Sequence, residues 1–279
     1  MKPHSWTSSG TSSAYGMPWE ILRSTKLTRD GRPIDLITKS GALGGYFSTV
    51  AVIPEFGLGV TILVAGDSAA LFDLRERLVA LVVPAIEDLV RATIKKRYEG
   101  FYARVDDWLG PLNRNWSLTL AVDDTGPGLR IRTWTSNGTD FLPVYGKLKG
   151  MPEDPTQWSA RLLPTNIAWT ADEEIWRLTA IPKRKESESG KVFDDYCMTD
   201  VDSLAFGGWP VEEFVFGFFG QDEGAGPGAV LMPGMRTELF KDSMWVNAGA
   251  GAQAGTGEEG LRIQRRKEGI KWSRGGFKD

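Results

Sequence analysis

Side chains able to do covalent or acid–base chemistry are sparse in this 279-residue sequence, which has one histidine, His4, and one cysteine, Cys197. Zinc sites gather several nitrogen, sulfur or carboxylate ligands, so one His and one Cys argue against a metal centre, and they exclude an internal disulfide. His4 sits in a polar, Ser/Thr-rich opening stretch of 14 residues, expected to be loop, where a serine nucleophile would lack the third group that orients an imidazole base. Cys197 has no second Cys or His beside it and reads as a small buried apolar group. Carboxylates occur as the adjacent pairs Glu173-Glu174 and Asp194-Asp195. Neighbours on a strand point to opposite faces, which does not build a shared acid–base site. The Gly/Ala run from Gly249 to Gly255 lacks the spacing of a dinucleotide-binding loop. Asn115-Trp116-Ser117 and Asn137-Gly138-Thr139 are glycan acceptor tripeptides, meaningful only in a secretory lumen.

Composition narrows the field further. With 33 Lys plus Arg against 36 Asp plus Glu, the formal charge is −3, and 41% of residues are hydrophobic. That is a globular composition, and the acidic balance argues against nucleic-acid binding, which rests on a concentrated basic face. The longest apolar run, Leu78 to Ile86, falls well short of the roughly 20 residues that span a bilayer. No apolar stretch follows Lys2, so no secretory address is expected in the chain as given.

The elements that would position any chemistry follow from pattern. Tyr15 to Arg23 is aromatic and β-favouring, with Pro18 confining it to a strand start or sheet edge. The turn Arg29-Asp30-Gly31-Arg32 leads to Ile34–Lys39, and Gly41 to Gly45 precede the β-branched runs Tyr46–Ile53 and Leu58–Ala65. Four antiparallel strands are expected here. Asp67 and Ser68 are N-cap candidates for a helix whose apolar face is read as Leu71, Leu74, Leu78 and Leu81. Pro84 is expected to break or kink it, before Ile86, Leu89, Val90 and Ile94 resume the pattern to Tyr98 and Gly100 ends it.

Beyond Gly100 the chain turns to short runs such as Trp116–Val122, Leu129–Thr135 and Trp176–Ile181, separated by Gly, Pro, Asn and Asp turn clusters, Asn137-Gly138 among them. Such spacing predicts a β-sandwich or barrel. The expected fold class is α+β, with one domain over residues 1–98, a β-rich domain over 99–265 and a basic tail over 266–279. The stretches 183–191 and 248–260 read as solvated loops.

Tyr15-Gly16-Met17-Pro18-Trp19-Glu20, then Lys39-Ser40-Gly41, Gly45-Tyr46 with Ser48, Ile53-Pro54-Glu55 and Gly57-Leu58-Gly59-Val60 occur in an order that carries more weight than any single triplet. The set resembles the serine β-lactamase and penicillin-binding-protein superfamily, in its class C-like branch, and within that the fungal β-lactamase-like proteins. The resemblance implies the closing antiparallel strands and C-terminal helix of a transpeptidase-like fold. Tyr98-Glu99-Gly100-Phe101-Tyr102 is similar to the start of the extra β-domain appended in larger members.

The resemblance further implies acyl transfer on a small-molecule amide, ester or lactone substrate, without a cofactor, in some fungal members within secondary metabolism. Full-length members are often secreted. Lys39 would take the place of the family's third-motif lysine, holding a Tyr oxygen and a substrate carboxylate by charge. Ser40 would hydrogen-bond a substrate anion or carbonyl, Gly41 would leave the strand edge open, and the N–H of Ala42 would be an oxyanion donor. Without the family, Lys39 reads as a lysine guarding a sheet edge, Gly41 and Gly44-Gly45 as a bulge or tight turn, and Trp19 and Tyr46 as structural aromatics.

The family's nucleophile is missing. None of the 17 serines has Lys three positions later, and neither Tyr-x-Asn nor Ser-x-Asn occurs. The resemblance begins at residue 1, so the chain is expected to be the C-terminal part of a truncated serine hydrolase or acyltransferase. The alternative is a non-catalytic remnant or binding module. Either way, residues 1–98 are expected to associate with another chain through an exposed edge.

Overall fold

The computed structural model describes residues 5–6, 12–106, 112–168, 170–183, 204–218 and 226–242. It is mostly antiparallel sheet with few helices. Two compact units divide the chain, one within Met1–Thr93 and Asp124–Gly126, the other within Ile94–Asp123 and Pro127–Asp279. His4, Cys197, Asp194-Asp195, the 248–260 run and the basic tail lie outside the described residues, as does nearly all of 183–191.

The first unit holds a six-stranded meander in sequence order: β1 (Ser5–Trp6), β2 (Ser13–Tyr15), β3 (Glu20–Ser24), β4 (Ile34–Leu43), β5 (Tyr46–Ile53) and β6 (Leu58–Ala65). Two expectations change here. The opening stretch is not all loop, because Ser5 and Trp6 pair with Tyr15 and Ala14. The run Tyr15–Arg23 is not one strand, since a turn closed by Gly16 N–H on the Trp19 carbonyl (2.7 Å) folds it into β2 and β3. Pro18 lies in that turn, where a residue without an N–H leaves no gap in the ladder. The β3–β4 connection also runs longer than a tight hairpin, from 25 to 33.

Alternation puts Ile34, Leu36, Ala51 and Ile53 on one face of this sheet. There they form a cluster with Val79 and Val83 of the helix α1 (Ser68–Tyr98). Asp67 caps α1, its Oδ1 accepting the Ala69 N–H at 2.9 Å. Pro84 does not end the helix. It forfeits one intrahelical bond, while Val79 and Val83 in the preceding turn are anchored in the core cluster.

The buried row of α1 differs from the expected leucine stripe. Leu71, Val79, Val83 and Glu87 are buried, at spacings that are multiples of four, whereas Leu74, Leu81 and Leu89 are exposed. Glu87 tolerates burial through its partners: it accepts from the Arg29 N–H (3.1 Å), Arg32 Nη1 (2.8 Å) and Arg91 Nη2 (3.2 Å). Burial pushes its carboxyl up, but these donors outweigh that and hold it below the ordinary glutamate range.

In the second unit the strands are β7 (Gly100–Arg104), β8 (Asn113–Ala121), β9 (Leu129–Ser136), β10 (Thr139–Asp140), β11 (Trp158–Ile167) and β12 (Glu173–Pro182). They continue as β13 (Ala205–Phe206), β14 (Trp209–Pro210), β15 (Glu213–Gly217), β16 (Ala229–Met232) and β17 (Thr237–Lys241). Leaving out the short β10 and the separate β13–β14 hairpin, each strand pairs with the next, β9 with β8 and β17 with β7. The ring closes on itself, giving a barrel rather than a sandwich. Its interior is filled with aromatic side chains, among them Trp134, Tyr102, Phe214 and Phe216. Trp134 packs 4.6 Å from Phe141 and 5.6 Å from Phe214, centroid to centroid. The helix α2 (Leu142–Leu148) adds Tyr145 to the same cluster.

Candidate functional site

The family-like residues converge on β4, and the ladder registers give that strand an unusual end. Pairing with β3 stops at Glu20–Thr38, whereas pairing with β5 continues through Lys39–Val50, Ser40–Thr49, Gly41–Ser48 and Ala42–Phe47 to Leu43–Tyr46. Lys39 to Leu43 therefore have a ladder partner on one side only. Leu43 and Tyr46 flank the two-residue Gly44-Gly45 turn as its hydrogen-bonded pair. Antiparallel alternation then directs the N–H groups of Ser40 and Ala42 away from β5, toward the unpaired side.

Lys39 is half exposed and paired. Its Nζ lies 2.8 Å from Glu20 Oε1 and 3.4 Å from the Ser40 carbonyl. The hydrogen bond to Glu20 raises the Lys39 pKa above the usual lysine value against a small opposing effect of burial, so the ammonium stays charged across the physiological range. Ser40 Oγ donates to Thr49 Oγ1 at 3.3 Å. A Cβ on Gly41 would sit 3.0 Å from Ser48 Oγ, so glycine keeps the close cross-strand approach.

Around this strand end lies an open depression of about 510 Å³, bounded by Gly41–Leu43, Tyr46–Ser48 and Leu63–Ala65. Its rim is apolar and solvent-facing: Leu43 is 79% exposed, Leu63 76% and Tyr46 66%. Tyr46 is thus not packed in the core. Lys39, Ser40, Gly41 and Ala42 are brought together as consecutive residues of one strand, and the depression touches Gly41 and Ala42. Sequence reading gave Glu20 no role, although the β3–β4 hairpin sets it opposite Thr38, one residue from Lys39. It also missed Leu63, which reaches the site only through the register of β5 with β6.

Residues 90–243 match the family described as "Beta-lactamase-like-like, C-terminal domain". The chain belongs to the β-lactamase-like proteins of fungi. A β-lactamase-like protein of Arthroderma benhamiae is 30% identical over 248 residues, covering 77% of this chain and 40% of the relative. A probable hydrolase of Cochliobolus lunatus is 29% identical over 219 residues, covering 74% of this chain and 34% of the relative. One from Phoma is 28% identical over 219 residues, covering 74% and 35% respectively. This β-lactamase-like chain therefore spans well under half the length of these curated relatives. No solved structure matches it. No described helix is long and apolar enough to cross a membrane.

Proposed function

We propose that this chain supplies the substrate-positioning edge of a serine acyl-transfer site, with the nucleophile contributed from outside these residues. The closing strands and helix would belong to a transpeptidase-like domain and the barrel would be its appendage. The observation that carries this reading is the one-sided ladder at Lys39–Leu43, which leaves the Ala42 N–H free to face a reacting carbonyl beside a lysine fixed by Glu20. A backbone donor so placed stabilises the oxyanion of an acyl-transfer intermediate, and its loss typically slows turnover by ~10²–10³. Small-molecule amides, esters or lactones are the substrate class this reading assigns, and the names of two relatives as probable hydrolases support hydrolysis as the reaction.

Without Ser-x-x-Lys, the chain alone has positioning groups but not the family's activated serine. Incubating it with a fluorophosphonate or a fluorescent penicillin is expected to leave it unlabelled; a stoichiometric adduct on this chain would overturn the reading. Joined to a segment bearing the nucleophile, it is expected to label. There Lys39→Ala and Ala42→Pro should each slow acylation severely, and an unchanged rate in both would remove the assigned roles.

A further inference from the structure

The barrel unit carries both of the chain's glycan acceptor tripeptides, Asn115-Trp116-Ser117 and Asn137-Gly138-Thr139. Transfer of an N-linked glycan uses the asparagine amide and the hydroxyl two residues on, so both must be open to the transferase. The fold treats the two tripeptides differently.

Asn137 and Gly138 form the two-residue tip of the β9–β10 hairpin, with Ser136 opposite Thr139 as the flanking pair. Their φ angles of +50° and +77° are the positive pair that so tight a tip demands, and Asn-Gly supplies it with little strain. Asn137, Gly138 and Thr139 are all exposed, and β10 pairs on one side only among the described residues. The residues that bear the amide and the hydroxyl therefore both face solvent, and the glycine between them adds no bulk.

Asn115-Trp116-Ser117 is built into the sheet instead. Ser117 is buried, paired with Ala103 of β7 on one side and Thr135 of β9 on the other, and its Oγ donates to the Arg114 carbonyl at 3.0 Å. Trp116 packs against the barrel's core cluster. Asn115 is exposed but leans on the hairpin tip. Its carbonyl accepts the Gly138 N–H at 2.9 Å, and its Oδ1 lies 3.9 Å from where a Cβ on Gly138 would sit. The two tripeptides thus meet at one end of β8 and β9, and a sugar on one fills the space beside the other.

We propose that Asn137 is the acceptor of a single N-linked glycan, added in a secretory lumen, and that Asn115 stays bare. The transfer joins Asn137 Nδ2 to the anomeric carbon of an oligosaccharide and breaks that carbon's bond to the diphosphate of a polyisoprenoid donor. One amide proton is lost as the diphosphate departs. An exposed hairpin tip takes the bulk without giving up a buried contact, whereas at Asn115 the same bulk would press on the turn and on a hydroxyl already engaged in the sheet. The proposal is independent of the acyl-transfer reading.

The test sends the full chain into the lumen of a yeast cell behind a cleavable leader, with leader removal as the report of entry. Product is recovered from lysate and medium together, which keeps poorly exported variants in the count. One glycan is expected, seen as a single mass step lost on treatment with an amidase that leaves aspartate where the sugar was attached. Run in heavy-oxygen water, the same treatment should label position 137. Asn137→Asp keeps a tip-forming Asp-Gly pair, and Thr139→Ala keeps Asn137 itself; each should abolish the step. Asn115→Gln should leave it unchanged. A leader-cleaved chain without a glycan, a label at 115 in place of or beside 137, or a step that survives either of the first two substitutions would overturn the proposal.

Discussion

The hydroxyl of Tyr98, at the last turn of α1, donates to Oε2 of Glu174 on β12, an oxygen that also accepts from Trp176 Nε1 at 3.2 Å. Lys241 closes the same helix end, its Nζ donating to the Arg97 carbonyl at 2.8 Å. The final turn of the helix is thereby built into the barrel unit. Burial, reinforced by the Glu174 carboxylate, pushes the Tyr98 hydroxyl well above the ordinary tyrosine range. Tyr98→Phe is expected to cost about 2 kcal/mol, the scale of a hydrogen bond to a charged acceptor, read as a lowered urea midpoint. In the wild type, ultraviolet titration should find Tyr98 still protonated where exposed tyrosines have ionised.

Acid should loosen the first unit through Glu87. Its folded pKa is depressed, so the carboxylate contributes stability above the unfolded value of about 4.3 and loses it as pH falls through the lower folded value. Urea denaturation at stepped pH is expected to show that decline in the wild type. Glu87→Gln should flatten it, and at neutral pH should cost about 3 kcal/mol because Arg32 and Arg91 lose a buried partner.

Arg161 is fully buried, with Nη2 2.6 Å from Asp123 Oδ1, Nε 3.1 Å from Ser159 Oγ and Nη1 3.3 Å from the Pro127 carbonyl. Asp123→Ala leaves that guanidinium buried without its carboxylate, an expected loss of about 3–5 kcal/mol. Combining it with Arg161→Met should recover much of the loss, and a double-variant cycle measures how much.

Gly128 combines a left-handed φ of +65° with a close neighbour, since a Cβ would fall 2.2 Å from the Leu162 carbonyl oxygen. Gly128→Ala is expected to destabilise by about 4 kcal/mol or more, among the larger single-residue effects. Thermal unfolding followed by circular dichroism reads it directly.

How far the sequence foretold this structure varies with the physics involved. Short-range patterns carried well: β-branched runs marked β5 and β6, the run Ile34–Lys39 marked the first part of β4, which continues to Leu43, Asp67 capped the helix, and Asn137-Gly138 closed a hairpin with positive φ at both residues. Leucine spacing misled about α1, because Leu74 and Leu81 satisfy the same helical period as Leu71 and Val79, and only packing on the sheet decides which row is buried. The barrel could not be told from a sandwich, since closure depends on β17 meeting β7 across more than a hundred residues. At the site, the order of motifs located Lys39–Ala42, but the one-sided ladder comes from β3 beginning only at Glu20, opposite Thr38, a register that no local pattern encodes.

The closure of the barrel also sets an order of events during synthesis. β7 finds β8 soon after both are made, yet its other neighbour, β17, emerges only with Thr237–Lys241. Until then β7 holds an open flank on the nascent chain, and the contact that seals it is among the longest-range in the unit, a slow step for a growing polypeptide. A message ending before the codon for Thr237 would yield an unsealed barrel whatever the quality of its earlier strands. The last five strand residues of the described chain are in this sense the latch for everything translated after Gly100.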